Sequence, residues 1–527
     1  MISKRSFISF AKTSSKVLSV NIAKRYQSNN EVPFLTFYKN TIGQSLPYKK
    51  LEELKKNEPN LSKISTDSLK ITLDILRKFN ITPEEACHNP HLFCMNIISL
   101  DNYGEILKEC GFIKILPIHL IRYNTIVKSR TIAYLKKEGL INESANVEEI
   151  LLEIFQEWPE YEKNLKQFSD SSNNILTIRM SVLERYLQWR LTITSDDFAK
   201  YCKHYLPLKH RPMSDIRQSL DIAENIIKLD RNCIKRNGCI ISSDPVNTKL
   251  ILDNVDSLAG MDIKEAIRNV PALLKNNYRA LLEIKDLLKE YKIYDEAQRR
   301  CLRVYCMNPD TVRERLEEFV KMKEYKVLSS NPRMLSMVVH QRKVVNRLSK
   351  IQSAKKTCFN LNSLVSSRKI FNTYISNFGS KVCSRDISIL ILSTLNGNYN
   401  EKTLRNNLRR HKYSLHTSLS VIHENICMLK QYFDDKVLFD NCHLLLYPGQ
   451  EIEKHIKSIQ KMRNGQIDTN TDYYNNLNYT QISDSQMLSL VLYEIEKKYH
   501  FSGDGIWTNQ DGLKEKPFIK KAQQILT

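Results

Sequence analysis

From Ser68 to about residue 460, apolar residues recur at three- and four-residue spacings, and prolines break the pattern in a repeated context. Spacing of that kind is the mark of amphipathic helices. Three of the breaks are nearly alike. Asn89-Pro90 precedes Leu92 and Phe93, Val270-Pro271 precedes Leu273 and Leu274, and Asn331-Pro332 precedes Met334 and Leu335. Trp158-Pro159, Leu206-Pro207, Asn308-Pro309 and Tyr447-Pro448 are looser copies at uneven spacing. Upstream, Glu84 and Glu265 stand at matching distances before their prolines, followed by Ala86 and Ala266; downstream run Leu281, Leu282, Ile284, Leu287 and Leu288, or Val344, Val345, Leu348 and Ile351. A proline stops one helix and fits the first turn of the next, where its missing N–H costs nothing. The unit therefore reads as helix, proline-started helix, helix, and each unit leaves an apolar face that only its neighbour covers. With only 13 glycines in 527 residues, the chain is short of the turn residues a large sheet protein uses. The expected fold is all-α, a helical repeat solenoid with one extended concave surface.

The first thirty residues differ. Lys4, Arg5, Lys12, Lys16, Lys24 and Arg25 are basic, seven serines and several apolar residues accompany them, and the first acid is Glu31. An acid-free, serine-rich, basic amphipathic start predicts a mitochondrial transit peptide over residues 1–27. Residues 28–67 read as a lead-in, 68–460 as the repeat array, 461–480 as a linker, and 481–527 as one more amphipathic helix with a tail. No run of eighteen apolar residues occurs, so no membrane span is expected.

The net charge is +22, and +16 remains once the six cations of the first thirty residues are removed. Such an excess suits a polyanionic partner. The basic residues are also ordered. Lys343, Arg347 and Lys350 form one helical stripe beside Val344, Leu348 and Ile351. Arg405, Arg409 and Lys412 repeat it beside Leu404, Leu408 and Leu415. Arg299, Arg300 and Arg303 cluster on what reads as one helix, and Arg333 follows Pro332. Lys209, Arg211 and Arg217 flank Pro212, and Lys264 pairs with Arg268. Cations spaced over several turns are what a nucleic-acid backbone needs, since each neutralised phosphate releases counterions. The bland reading of any one stripe is a solvated helix face.

Twelve cysteines show no CxxC pair, and in a reducing compartment they read as buried thiols. Cys87, His88, His91 and Cys94 have partial zinc-ligand spacing, but Pro90 interrupts the helix and no second ligand pair follows, so no metal is expected. No phosphate loop, dinucleotide fingerprint, H-E-x-x-H or G-x-S-x-G motif is present. Neither catalysis nor a cofactor is expected.

Gly260-Met261-Asp262-Ile263 through Val270-Pro271-Ala272-Leu273-Leu274, together with Leu328-Ser329-Ser330-Asn331-Pro332-Arg333-Met334-Leu335, resembles the proline-leucine repeat core of the mitochondrial transcription termination factor family. The lysine- and asparagine-rich character is similar to an arthropod member of its type-five branch. The resemblance spans residues 68–460 and is strongest over 258–350. It implies a helical superhelix that binds double-stranded mitochondrial DNA in the matrix nucleoid and regulates transcription, with termination the expected step. Other mitochondrial transcription proteins are the expected partners. Family members that act on ribosomal RNA and ribosome assembly keep RNA open as the polymer, and a protein-interaction solenoid is the rival from another class.

Overall fold

In the computed structural model the described residues are 33–498, except 60, 62–63, 161–162, 164, 357, 377–380, 410, 412 and 466–478. The predicted transit peptide, most of the predicted linker and the tail beyond 498 lie outside them, as does Lys412. The fold is all-α, as the apolar spacing predicts. Among the described residues the only sheet is a ribbon of Ser257–Leu258 and Met261–Asp262, and no helix is long and apolar enough to cross a membrane. Ala259 and Gly260 join the two strands with φ of +54° and +68°, the left-handed pair that a two-residue hairpin demands. That requirement accounts for the glycine in this motif.

The chain forms two compact units. One is residues 1–258 with 262–278, the other 259–261 with 279–527. Within both, the repeat is a first helix, a short middle element and a longer third helix. In the first unit it runs Ser195–His204, Leu206–His210 and Met213–Asp221, and the Ile263–Asn269 helix with Pro271–Lys275 begins another. In the second it runs Asp295–Arg300, Leu302–Cys306, Pro309–Val320; then Lys323–Leu328, Leu335–Val339, Gln341–Ser353; and later Asp435–Asp440, Cys442–Leu446, Gly449–Arg463. Several middle elements are 3₁₀ helices of five residues, just past the three or four residues at which such runs usually stop. One backbone bond recurs at their entrance: Leu208 N to Tyr205 O, Leu273 N to Val270 O, Val304 N to Cys301 O, Met334 N to Asn331 O and Leu444 N to Asn441 O.

That bond corrects the reading of the prolines. Pro271 and Pro207 open middle elements, and Pro332 enters the turn before one. Pro309 instead opens a third helix and Pro448 caps one. Proline marks two positions of the unit, which is why its spacing is uneven. The apolar stripes fall as predicted: Leu281, Ile284, Leu287 and Leu288 are buried, and so are Val344, Leu348 and Ile351. Side-chain caps fix the helix starts, among them Thr82 with Glu85, Asp262 over Lys264 and Glu265, and Asn308 over Asp310. The helix expected after the linker is Asp484–Lys497, opened by a Ser483–Gln486 capping box. Cys87 and His91 sit on separate short helices, and His91 Nδ1 meets Glu58 at 2.5 Å.

Candidate nucleic-acid interface

The three predicted stripes and Arg333 lie in the second unit, Lys209, Arg211, Arg217, Lys264 and Arg268 in the first, and the structure sorts these cations into two kinds. Arg347 is the clearest departure from expectation. It is only 6% exposed. Its Nη1 donates to the Ser363 and Leu364 carbonyls, both at 2.9 Å, its Nη2 to Ser367 O at 3.1 Å, and its guanidinium lies 4.5 Å over the Phe371 ring. The carbonyls at a helix end are unsatisfied and carry partial negative charge, so a cation there is stabilised twice over. Arg347 closes the Leu361–Val365 helix and is nearly shut off from solvent, with its donors turned to protein carbonyls instead of outward as the stripe predicted. Lys343 leans the same way, its Nζ donating to Val365 O at 2.8 Å. Burial, and then the Arg347 charge, push its ammonium below the ordinary lysine range. Of the expected stripe, Lys350 alone is fully exposed.

The signal for this was in the spacing. Arg347 follows Val344 by three and precedes Ile351 by four, so it stands inside the apolar stripe rather than beside it. Arg315, not singled out above, has the same placement between Val312 and Phe319. It donates to Val338 O and Val339 O, both at 2.9 Å. In the first unit Arg268 likewise donates to Ile227 O at 3.1 Å, and Arg211 is buried beside Asn102 and Asp215.

Two further stripes are corrected. The Asp295–Arg300 helix ends at Cys301, so Arg299 and Arg300 belong to one element and Arg303 to the next. The helix carrying Arg405 and Arg409 is Glu401–Arg409, Lys412 lies outside the described residues, and Leu415 lies beyond the helix, 37% exposed. Arg405 is bound by Glu401 and donates to Ser388 Oγ at 3.2 Å.

What remains at the surface is Arg299, Arg300, Arg303, Arg333, Lys350 and Arg409, with Arg300 3.6 Å from Glu296 in an exposed pair. Exposed pairs of that kind hold a cation weakly. Arg303 and Arg333 are related by the repeat. Each stands two residues after the carbonyl that accepts the entrance bond, Cys301 O or Asn331 O. The second turn is rigidly made. Asn331 Oδ1 accepts from Arg333 N at 3.0 Å, and its Nδ2 donates to the buried Asp386 at 2.8 Å. Asp386 also accepts from Leu361 N at 3.0 Å, and burial raises its carboxyl above the usual range. A buried Asn–Asp contact thus fixes the turn that displays Arg333.

Around His340 the structure assembles cations that no single stripe predicted. Arg303 comes from the Leu302–Cys306 element, Arg315 from Pro309–Val320, and Lys343 from the helix that His340 precedes. All three charges, after burial, push the His340 imidazole below its usual pKa. Arg342, next along and exposed, acts on Arg315 in the same sense.

The chain is 26% identical over 476 residues to a protein of Drosophila melanogaster named transcription termination factor 5, mitochondrial, covering 90% of this chain and 83% of the relative. No family model matches, and no solved structure matches. The likeness runs nearly end to end, and the proline-leucine motifs and the helical repeat agree with it: the chain is similar to the mitochondrial transcription termination factors, and to their arthropod type-five branch in particular.

Proposed function

We propose that this protein is a mitochondrial factor of the matrix nucleoid that binds double-stranded DNA and acts in transcription termination, without a cofactor. The observation that carries the reading is the placement of Arg303 and Arg333 at the same step of successive repeats, both exposed and neither held in an ion pair shown between described residues. Repeat geometry spaces cations as a polyanion needs them. The relative's name supports the compartment and the process.

The test is a mobility shift with duplex DNA and with structured RNA across salt. With roughly six to ten phosphate contacts, duplex affinity falls about 10³- to 10⁵-fold between 50 and 200 mM salt. Replacing Arg299, Arg303 and Arg333 together by alanine should weaken binding to every sequence and flatten the salt slope by about one unit per lost contact. Preference for RNA would move the reading to ribosomal RNA or ribosome assembly. Unchanged duplex affinity in the triple variant would overturn this interface. Loss of both polymers at physiological salt in the native chain would leave a protein-interaction scaffold.

A further inference from the structure

His340 stands where the Leu335–Val339 helix meets Gln341–Ser353, exposed, and its side chain caps nothing. Its backbone is held independently of the ring: the N–H donates to Ser336 O at 3.1 Å, and the carbonyl accepts from Lys343 N and Val344 N. The charged groups about it come from three elements. Leu302–Cys306 supplies Arg303, and Pro309–Val320 supplies Arg315 with Glu314 and Glu318 beside it. Gln341–Ser353 supplies Arg342 and Lys343; the Leu335–Val339 helix has no titratable side chain.

Most of these groups are already committed. Arg315 is bound to the Val338 and Val339 carbonyls and Lys343 to Val365 O, while Glu318 accepts from the Gln341 side-chain amide. Their charges persist, but their donors face protein. Arg303, Arg342 and the His340 ring remain exposed, in a field made positive by Lys343, Arg303 and Arg315. A neutral imidazole in such a field is the state of least repulsion. An anion placed there reverses the sign of the field at the ring and favours the imidazolium, which then donates to the anion.

We propose that His340 is a proton-coupled phosphate contact: its ring takes up a proton when a nucleic-acid backbone phosphate seats beside Arg303 and Arg342. This rests on the nucleic-acid reading above and adds its regulation by pH. The bond formed is N–H at the ring nitrogen, and the bond broken is that holding the proton to hydronium or to the buffer acid, whose conjugate base is released to solvent. Linkage fixes the sign. The complex binds more protons than the free protein, so affinity rises as pH falls through the range between the free and bound pKa values.

The experiment measures binding of the full chain to one mixed-sequence DNA duplex at pH 8 and pH 6 at fixed salt. Proton uptake is followed by calorimetry in buffers of different ionisation enthalpy. The native chain should bind about three- to tenfold more tightly at pH 6, the range expected for a bound-state shift of up to about one unit. His340→Gln should lose most of that ratio and the proton uptake with it. His340→Lys, a permanent cation, should bind at pH 8 about as tightly as the native chain at pH 6, and lose the pH ratio. Equal pH ratios and equal proton uptake in the native chain and His340→Gln would overturn the inference while leaving DNA binding intact. Failure of the native chain to bind duplex at either pH would instead overturn the function proposed above.

Discussion

The two units bury arginine in different company. In the first, the Ile175–Leu191 helix buries Arg179 against Glu109 at 3.0 Å, and sets Arg190 among Glu157, Asp221 and Glu224 at 3.0, 2.6 and 2.8 Å. In the second, Arg315 and Arg347 are bound by backbone carbonyls. The structural result is similar, since either partner satisfies a buried guanidinium. The electrostatic result is not. A carboxylate cancels the charge, whereas a helix end offers about half a charge and leaves the rest to act on its surroundings. The second unit therefore fastens its repeats with cations whose charge is left uncancelled near the exposed Arg303.

Arg179→Ala puts this contrast to its hardest test. Glu109 also accepts from Met213 N, Ser214 N and Ser214 Oγ, yet it would stay buried without its counter-ion. The cost expected for breaking such a pair is about 3–5 kcal/mol, read from urea unfolding. A loss below about 1 kcal/mol would mean that the helix start at Met213 neutralises Glu109 by itself.

Arg347→Ala comes next. Three carbonyl bonds and the stack on Phe371 disappear, which should cost about 2–4 kcal/mol. The salt slope of duplex binding should not change, because no phosphate contact is lost. A flatter slope with unchanged stability would return Arg347 to the interface and break the distinction between fastening and binding cations.

The smallest effect concerns His210, which accepts or donates a bond with Tyr123 Oη at 3.2 Å. Burial, then Lys128, Arg179 and Lys209, push its imidazole down to about 4. Between 6.5 and about 4 the unfolded chain binds the proton and the folded one does not, so stability falls as pH falls through that window. His210→Gln should flatten unfolding free energy against pH by about 1–2 kcal/mol, allowing for the ring's partial exposure. An unchanged slope would place the acid sensitivity of the first unit elsewhere.

Much of this was legible in the sequence, because it follows from side-chain period. Val344, Leu348 and Ile351 were read as core and are core. Arg347 was misread although its own spacing put it in that core, since charge was weighted above position. The middle elements escaped for a different reason. Paired apolar residues such as Leu273 and Leu274 suit a turn of either helix type, and the choice is made by the neighbours they pack on. The end of the helix at Arg409 has no glycine or proline to announce it before Tyr413. The group about His340 joins side chains from positions 303, 315 and 343, which only the packed fold brings together.

The five-residue middle elements have a consequence for how amide protons trade with solvent. Leu302–Cys306 and Cys442–Leu446 each close their entrance amide over three residues, Val304 N to Cys301 O and Leu444 N to Asn441 O. Asn425 and Thr417 hold the Leu445 and Leu446 carbonyls from outside, so one turn opens without unwinding the long helix that follows it. Deuterium therefore enters the second unit first at these elements and later in Pro309–Val320 and Gly449–Arg463. The sequence of fast and slow amides carries the period of the repeat, so labelling times would count the units where sequence identity has faded.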